Sequence, residues 1–340
     1  MPTAAQVLAK FASRLTYADI PPAVVEHAKD SIIDTMTAMI FGQRLLWSRM
    51  VADYARRYGS GGPCSIIGSP DTRVHAPYAA LANGVFGHAF EQDNGRQPVV
   101  GAHPGATLTP AILAACEETG ADGEVAITAF VAGCEVLFRI GTATHYNYQS
   151  PEKLGFHAPG IIGAYGAAVA AGTVFRLTAE QLANALGIAG SLSSGLLAFT
   201  KSKQGGMVKR LHIGRAAESG ILAARLASAG YTGPETILEG KFGLLEVYCP
   251  DSNAALLTID LHKDWETLRI KMKPYSSQGN THTPIQSISE LMAAHGFKGA
   301  DVAGVLVEGS EKLVTHHNIT EPGDIMQPCS HFGTRADLHE

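Results

Sequence analysis

Between Ala158 and Phe175 the chain runs for 18 residues without a charge, as APGIIGAYGAAVAAGTVF. Such a stretch has two destinations, the hydrocarbon of a membrane or the centre of a helical protein. Alanine and glycine dominate it and gain little from hydrocarbon, and its length barely reaches the ~20 residues that a span needs. Gly160, Gly163 and Gly166 fall three apart, along one side of a helix, where a missing side chain lets another backbone approach. The run predicts a tightly packed internal helix and a helical protein around it. With 46% of its 340 residues hydrophobic and 17% charged, the chain has material for a sizeable core and is not disordered.

Helical spacing continues on both sides of this run. Pro21 and Pro22 open a segment in which Val25, Ala28, Ile32, Met36 and Met39 recur every three or four residues, and Gly42 closes it. Leu46 to Tyr58 is a further helix ended by GSGG, and others run from Val74 to Phe90, Thr109 to Glu118 and Asp122 to Ile140. Asp122 is a natural N-cap with Glu124 in the first turn, and Thr178 with Gln181 forms a capping box. Gly214 to Ala229 is a long alanine-rich helix stopped by Gly230. Strand signal is faint here, with CSII at Cys64 to Ile67 the one weak case.

The pattern changes after about Asp260. Thr267 to Lys273 (TLRIKMK) alternates with period two, Pro284 to His295 returns to helical spacing, and Val302 to Val307 (VAGVLV) is a second strand candidate. SHFGTRADLHE, the last eleven residues, shows neither period. The expected fold class is mainly α with an α+β part. A large all-helical domain over residues 1–262 is followed by a smaller, incomplete α+β lid domain over residues 263–340.

Charge and cysteine usage narrow the function. Lys and Arg number 26 against 31 Asp and Glu, with no dense basic block, so a nucleic-acid-binding face is excluded. The five cysteines are scattered without a CxxC pair, which argues against a disulfide framework, a thiolate-held metal or an iron–sulfur cluster. A reducing, cytoplasmic setting fits best. The first residues, MPTAAQVLAKFASRLTYADIPP, read as an amphipathic segment and not as a signal peptide.

Four loops carry groups that can do chemistry, and each has an ordinary alternative. GHAFEQDNGRQPVVGAHPGA holds His88, Glu91, Asp93, Arg96 and His103, a mixture suited to proton transfer, although solvated loop acids look the same in sequence. KLGFHAPG places His157 before a helix N-terminus, where an imidazole stays neutral and basic, or is merely packed. KSKQGGMVKRLHIGR gathers Lys201, Lys203, Lys209, Arg210, His212 and Arg215 around a Gly-Gly pair, an anion site or a solvated basic loop. It lacks the spacing of a phosphate-binding P-loop. IKMKPYSSQGNTHTP brings Lys271, Lys273, Tyr275 and His282. Together these loops offer two candidate bases and several cations, the requirement for chemistry at a carbon beside a carboxylate. No HxH or HxxxH pairing sets two histidines on one helix face, so no metal is expected.

The chain resembles the MmgE/PrpD family, which includes 2-methylcitrate dehydratase, cis-aconitate decarboxylase and iminodisuccinate epimerase. The matching stretches are LTYADIPPAVVEHAKDSIIDTMTAMIFG, GHAFEQDN with HPGATLTPAILA, LGFHAPGIIGAYGAAVAAG, KRLHIGRAAESGILAARLASAGYTGPETILEGKFG and KMKPYSSQGNTH, in the family's order from about Leu15 to about His282. The resemblance implies a helical domain with a smaller lid, a cleft between them, a homodimer and no cofactor. It implies catalytic roles for Asp93, His103, His157, Lys209 and Lys273, and substrate contacts for Glu91, His212 and His282.

Two departures stand out. HAFEQDN replaces the usual HxxDxDD, so Glu91 and Asp93 compete for the first acidic role. The family's FSxxY-type segment and returning helices are not recognisable after Met326, so a shortened C-terminus and an exposed apolar face are expected. The activity so implied is that of a metal-free lyase on a small di- or tricarboxylic acid. In its dehydratase form His157 or His103 removes a proton, Lys209 and Lys273 hold carboxylates and developing charge, and a protonated Asp93 assists the leaving hydroxyl. A dicarboxylate epimerase and a non-catalytic carboxylate binder are the rivals.

Overall fold

The computed structural model describes residues 2–309, apart from 97, 99, 147–149, 203–204 and 250. SHFGTRADLHE, Cys329 and Lys203 therefore lie outside the described residues. The helices α1 (Ala4–Arg14), α2 (Pro22–Gly42) and α3 (Leu46–Gly59) lead into a hairpin of β1 (Ser60–Ile66) and β2 (Ser69–Val74). Next come α4 (Ala76–Gly87), a two-residue strand β3 (Gly95–Arg96), α5 (Pro104–Thr119), α6 (Gly123–Thr144), α7 (Ala158–Val174), α8 (Ala179–Leu192) and α9 (Val208–Ser228). The short helix α10 (Leu244–Tyr248), strand β4 (Ile270–Lys271) and helix α11 (His282–His295) follow.

The uncharged run is α7, and it lies at the centre of the bundle, against α5, α6, α8 and α9. Its glycines do not all face one neighbour. At 3.6 residues per turn a three-residue step falls about 60° short of a full turn, so successive glycines face different partners. A Cβ at Gly160 meets the Ser194 carbonyl, at Gly163 Ala216 of α9, and at Gly166 Leu137 of α6. Helix α9 comes close in turn, its Gly220 sitting on the backbone of Ala167, 2.5 Å from where its Cβ would stand. Helix α6 is by length and composition apolar enough to cross a membrane, but 78% of its apolar window is buried within the bundle.

Both expected caps are present. The Asp122 side chain accepts from the Val125 N–H, and Thr178 and Gln181 cap reciprocally. GSGG ends α3 at Gly59, as expected, its remaining residues open β1, and CSII lies largely within the hairpin. Two expectations change. Thr267 to Lys273 is not one strand, because Glu266–Arg269 forms a 3-10 turn and only Ile270 and Lys271 extend, pairing with β3. Val302 to Val307 is not a strand either. Val305 and Leu306 are exposed, and no strand among the described residues supplies the hydrogen bonds such a segment needs.

The turn in place of a strand has a local cause. Glu135 of α6, buried, accepts from the Thr267 N–H at 3.0 Å, the Thr267 hydroxyl at 2.9 Å and the Glu266 N–H at 3.2 Å. Arg139 one turn on completes its shell at 2.6 Å and also donates to the carbonyls of Ile259, Asp260 and Asp264. Arg96 of β3 pairs with Glu266 at 2.6 Å. The segment that precedes Lys273 is thus pinned to α6 and β3 by buried charge. Helices α2 and α3 expose Ile33, Ile40, Phe41, Leu46, Met50, Tyr54 and Tyr58, an apolar face.

Candidate functional site

The loop after α4 is shaped by strain and held by side chains. Glu91 adopts φ +62°, a left-handed conformation costly for a residue with a Cβ. Carbonyls on this loop are tied to the segment after β4: Ser276 Oγ donates to Phe90 O at 2.5 Å and Lys273 Nζ to Glu91 O at 2.9 Å. Gln92 Nε2 returns a bond to Lys273 O at 2.6 Å. Asn94 pins the other end, accepting from the Gly105 N–H of α5 at 3.0 Å and donating to Ser31 O of α2 at 3.1 Å.

Asp93 is fully buried, and its Oδ2 accepts from two imidazoles at once, His88 Nδ1 and His103 Nδ1, each at 2.8 Å. Burial pushes its carboxyl up, but His103, His88 and the Lys273 ammonium 3.6 Å away outweigh it and hold it well below the usual carboxylate range. Asp93 is therefore ionised, which corrects the expectation that it serves as a protonated acid. With an ionised acceptor between them, both rings carry Nδ1–H. Burial depresses His88 to about 4, and its Nε2 has no hydrogen-bond partner. His103 is the N-cap residue of α5 and is partly exposed.

Glu91 is the hub of the cations. Its Oε1 accepts from Lys209 Nζ at 2.5 Å and from Arg210 Nη1, and its Oε2 lies 3.7 Å from Lys273 Nζ. Burial raises its pKa and Lys209, Arg210 and Lys273 overcome that, so it too stays well below its normal range. Burial lowers Lys209, against the attraction of Glu91. Arg210 Nη1 also reaches His88 O at 3.2 Å, which ties the cation set to the imidazole set.

His157, the N-cap residue of α7, and His212 of α9 meet with Nδ1 atoms 3.0 Å apart. Phe199 stands edge-on to both rings, and His88 lies 6.4 Å from His157 between ring centres. Desolvation and the Lys209 charge depress both His157 and His212, so both are neutral near pH 7. Gly195, at φ +144°, gives the pair its room: a Cβ there would lie 3.2 Å from His212 Nδ1.

Asp93, His103, His157, Lys209, Lys273, Glu91 and His212 thus form one cluster, assembled from three helix N-termini and two loops. His282 makes its contacts apart from these, with Ser277 O at 3.2 Å and the Tyr275 ring. His88 and Arg210 were visible in sequence as neighbours of better candidates, yet they join the two halves of the cluster. Among the described residues His88, Asp93 and His103 form the group able to offer three metal ligands, within 4.8 Å of one another. As placed here, both Nδ1 atoms are engaged with Asp93 Oδ2.

Residues 6–257 match the family model for the MmgE/PrpD N-terminal domain. A cis-aconitate decarboxylase of Aspergillus terreus is 30% identical over 299 residues, 84% of this chain and 59% of its own length. The human cis-aconitate decarboxylase is 30% identical over 240 residues, 69% of this chain and 48% of that protein. A cis-aconitate decarboxylase-like protein of Aspergillus oryzae is 29% identical over 328 residues, 91% and 67% respectively. The chain spans less than two thirds of the length of the Aspergillus terreus and human relatives.

Proposed function

This chain belongs to the MmgE/PrpD family, and we propose that it is a lyase for a small tricarboxylic acid, with decarboxylation of cis-aconitate the first reaction to test. The observation that carries this reading is the meeting of two lysines and an arginine with two imidazole pairs in one largely buried cluster. Loss of carbon dioxide leaves an electron pair on carbon, which must be stabilised and then protonated, one proton per turnover. Lys209 and Lys273 supply cations for the remaining carboxylates and the developing charge, in surroundings where water screens them little. His157 and His103 present Nε2 atoms for the proton. In this reading Asp93 orients His103 as an ionised acceptor, and no added cofactor takes part.

The neutral state of His157 also suits removal of a proton beside a carboxylate, so the dehydratase form stands as the second reading. We take the working unit to be a homodimer in the cytoplasm. The apolar face on α2 and α3 supports the first, and the free Cys64, Cys116, Cys134 and Cys249 the second. Proton NMR in D2O with cis-aconitate, citrate and 2-methylcitrate tests the reaction. Carbon dioxide release with deuterium at one product carbon is expected, unchanged by a chelator, and lost in His157→Ala and His103→Ala. Tricarboxylate binding without turnover by the folded protein overturns the proposal.

A further inference from the structure

The contact between His157 and His212 joins two nitrogens of the same kind, and one hydrogen bond between them admits one proton. Either His157 holds Nδ1–H and donates, leaving its Nε2 bare as a base, or His212 holds it and His157 carries Nε2–H as an acid. We propose that the two rings act as one proton-sharing pair, His212 working through the 3.0 Å Nδ1···Nδ1 contact to set the tautomer of His157 and to take the positive charge while His157 Nε2 exchanges a proton with substrate. The inference rests on the proposed lyase reading and assigns His212 a positioning role, where the resemblance gave it only a substrate contact.

The surroundings support that division. His157 is buried and faces Lys209, His88 and His103, so a full charge on it is disfavoured. His212 is only partly buried, and Lys209 is the charged group that opposes its protonation. The contact is built into the fold. Gly195 leaves space for both rings, its carbonyl accepts the His157 N–H at 3.0 Å, and Gly160 of α7 lets the Cβ of His212 come close.

The protons balance. In the resting pair both rings are neutral: His157 donates its Nδ1–H to His212 Nδ1 and keeps Nε2 bare, and His212 carries Nε2–H. When His157 Nε2 takes a proton from a carbon acid, the shared proton moves to His212 Nδ1, and His212 becomes the imidazolium. In decarboxylation one solvent proton per turnover loads the pair in the same way, and the steps run in reverse as the carbon left by carbon dioxide takes the Nε2 proton and both rings return to neutral.

The test uses the full chain labelled with 15N-histidine. Long-range 1H–15N spectra of the resting protein are expected to show one protonated and one unprotonated Nδ1 for this pair. In His212→Phe the His157 pattern reverts to the ordinary Nε2–H tautomer. With substrate, His212→Phe lowers kcat on the order of 10²-fold, the lower end for a positioned acid–base group, with KM within a factor of about two. His212→Asn, which keeps a hydrogen-bond partner but cannot take charge, restores the spectrum more than the rate. Unchanged His157 shifts and an unchanged kcat in folded His212→Phe overturn the proposal. Should that variant not fold, the wild-type spectrum and His212→Asn decide it. If the wild type turns over none of the acids, the lyase reading fails while the spectra still decide whether the pair shares a proton.

Discussion

His88 offers a way to measure the electrostatic design of the cluster by its pH dependence. Its ring is fully buried between Asp93 and the backbone, with a folded pKa depressed from 6.5 to about 4. The unfolded chain therefore binds a proton at this residue more readily than the folded one. The stability that follows is fully present above the unfolded value and is lost as pH falls from about 6.5 towards about 4. For these two pKa values little of the contribution is lost at pH 7 and about 2 kcal/mol of it at pH 5. The comparison is with His88→Asn, whose amide can donate to Asp93 but does not titrate. Urea unfolding at pH 7, 6 and 5 should show wild type losing about 2 kcal/mol more than the variant across that range. His157 and His212 are depressed as well and make both proteins acid-labile, so the comparison with the variant removes most of their share and reports on His88 with the neighbours it is coupled to. Parallel stability curves for the two proteins would refute the reasoning, because a ring that titrates alike folded and unfolded is not a desolvated donor to Asp93.

Two further outcomes follow from the buried pairs and the glycine that frame the site. Glu135→Leu strips Arg139 of its carboxylate and the Thr267 N–H and hydroxyl of their shared acceptor, and a broken buried pair of this kind costs about 3–5 kcal/mol, readable as a lower urea midpoint. Gly195→Ala meets His212 Nδ1 at 3.2 Å and a backbone angle of +144°, whereas Gly230→Ala meets no neighbour at +90°. Both are expected to lower Tm, and only the first to reduce turnover; equal turnover in the two would separate Gly195 from the histidine pair.

Much of the helical order was legible because it follows from local rules. The uncharged run, the two helix caps and the Gly stops each depend on residues within one or two turns. The failures were non-local. TLRIKMK has the alternation of a strand, but Glu135, more than 130 residues earlier, captures the Thr267 N–H and hydroxyl and bends its first half into a turn. VAGVLV has the composition of a strand but, among the described residues, no neighbouring strand. The same limit applies to the site. Residue types in each loop were readable, but the joining of Glu91 to Lys209 and Arg210 spans 118 and 119 positions, and nothing in either loop alone points to the other.

One regularity could have linked them. His103 and His157 are N-cap residues of α5 and α7, and Lys209 and Arg210 lie in the first turn of α9. Helix N-termini carry partial positive charge and favour anions, so neutral imidazoles are tolerated there and cations are not. Two cations in the first turn of α9, buried, are thus in the wrong place for the stability of an isolated helix. Glu91 offsets them, and it does so from a left-handed backbone conformation that itself costs energy. A fold that accepts repulsion at a helix end and strain in the loop that relieves it concentrates positive potential where several helix ends meet. Glu91, Asp93 and Asp34, which also feels the charge of Lys273, match Lys209, Arg210 and Lys273 in number. The two cations of α9 nevertheless stand at a helix N-terminus, where their potential adds to that of the helix, and this is the physical reason to look for a tricarboxylate here before a neutral or cationic ligand.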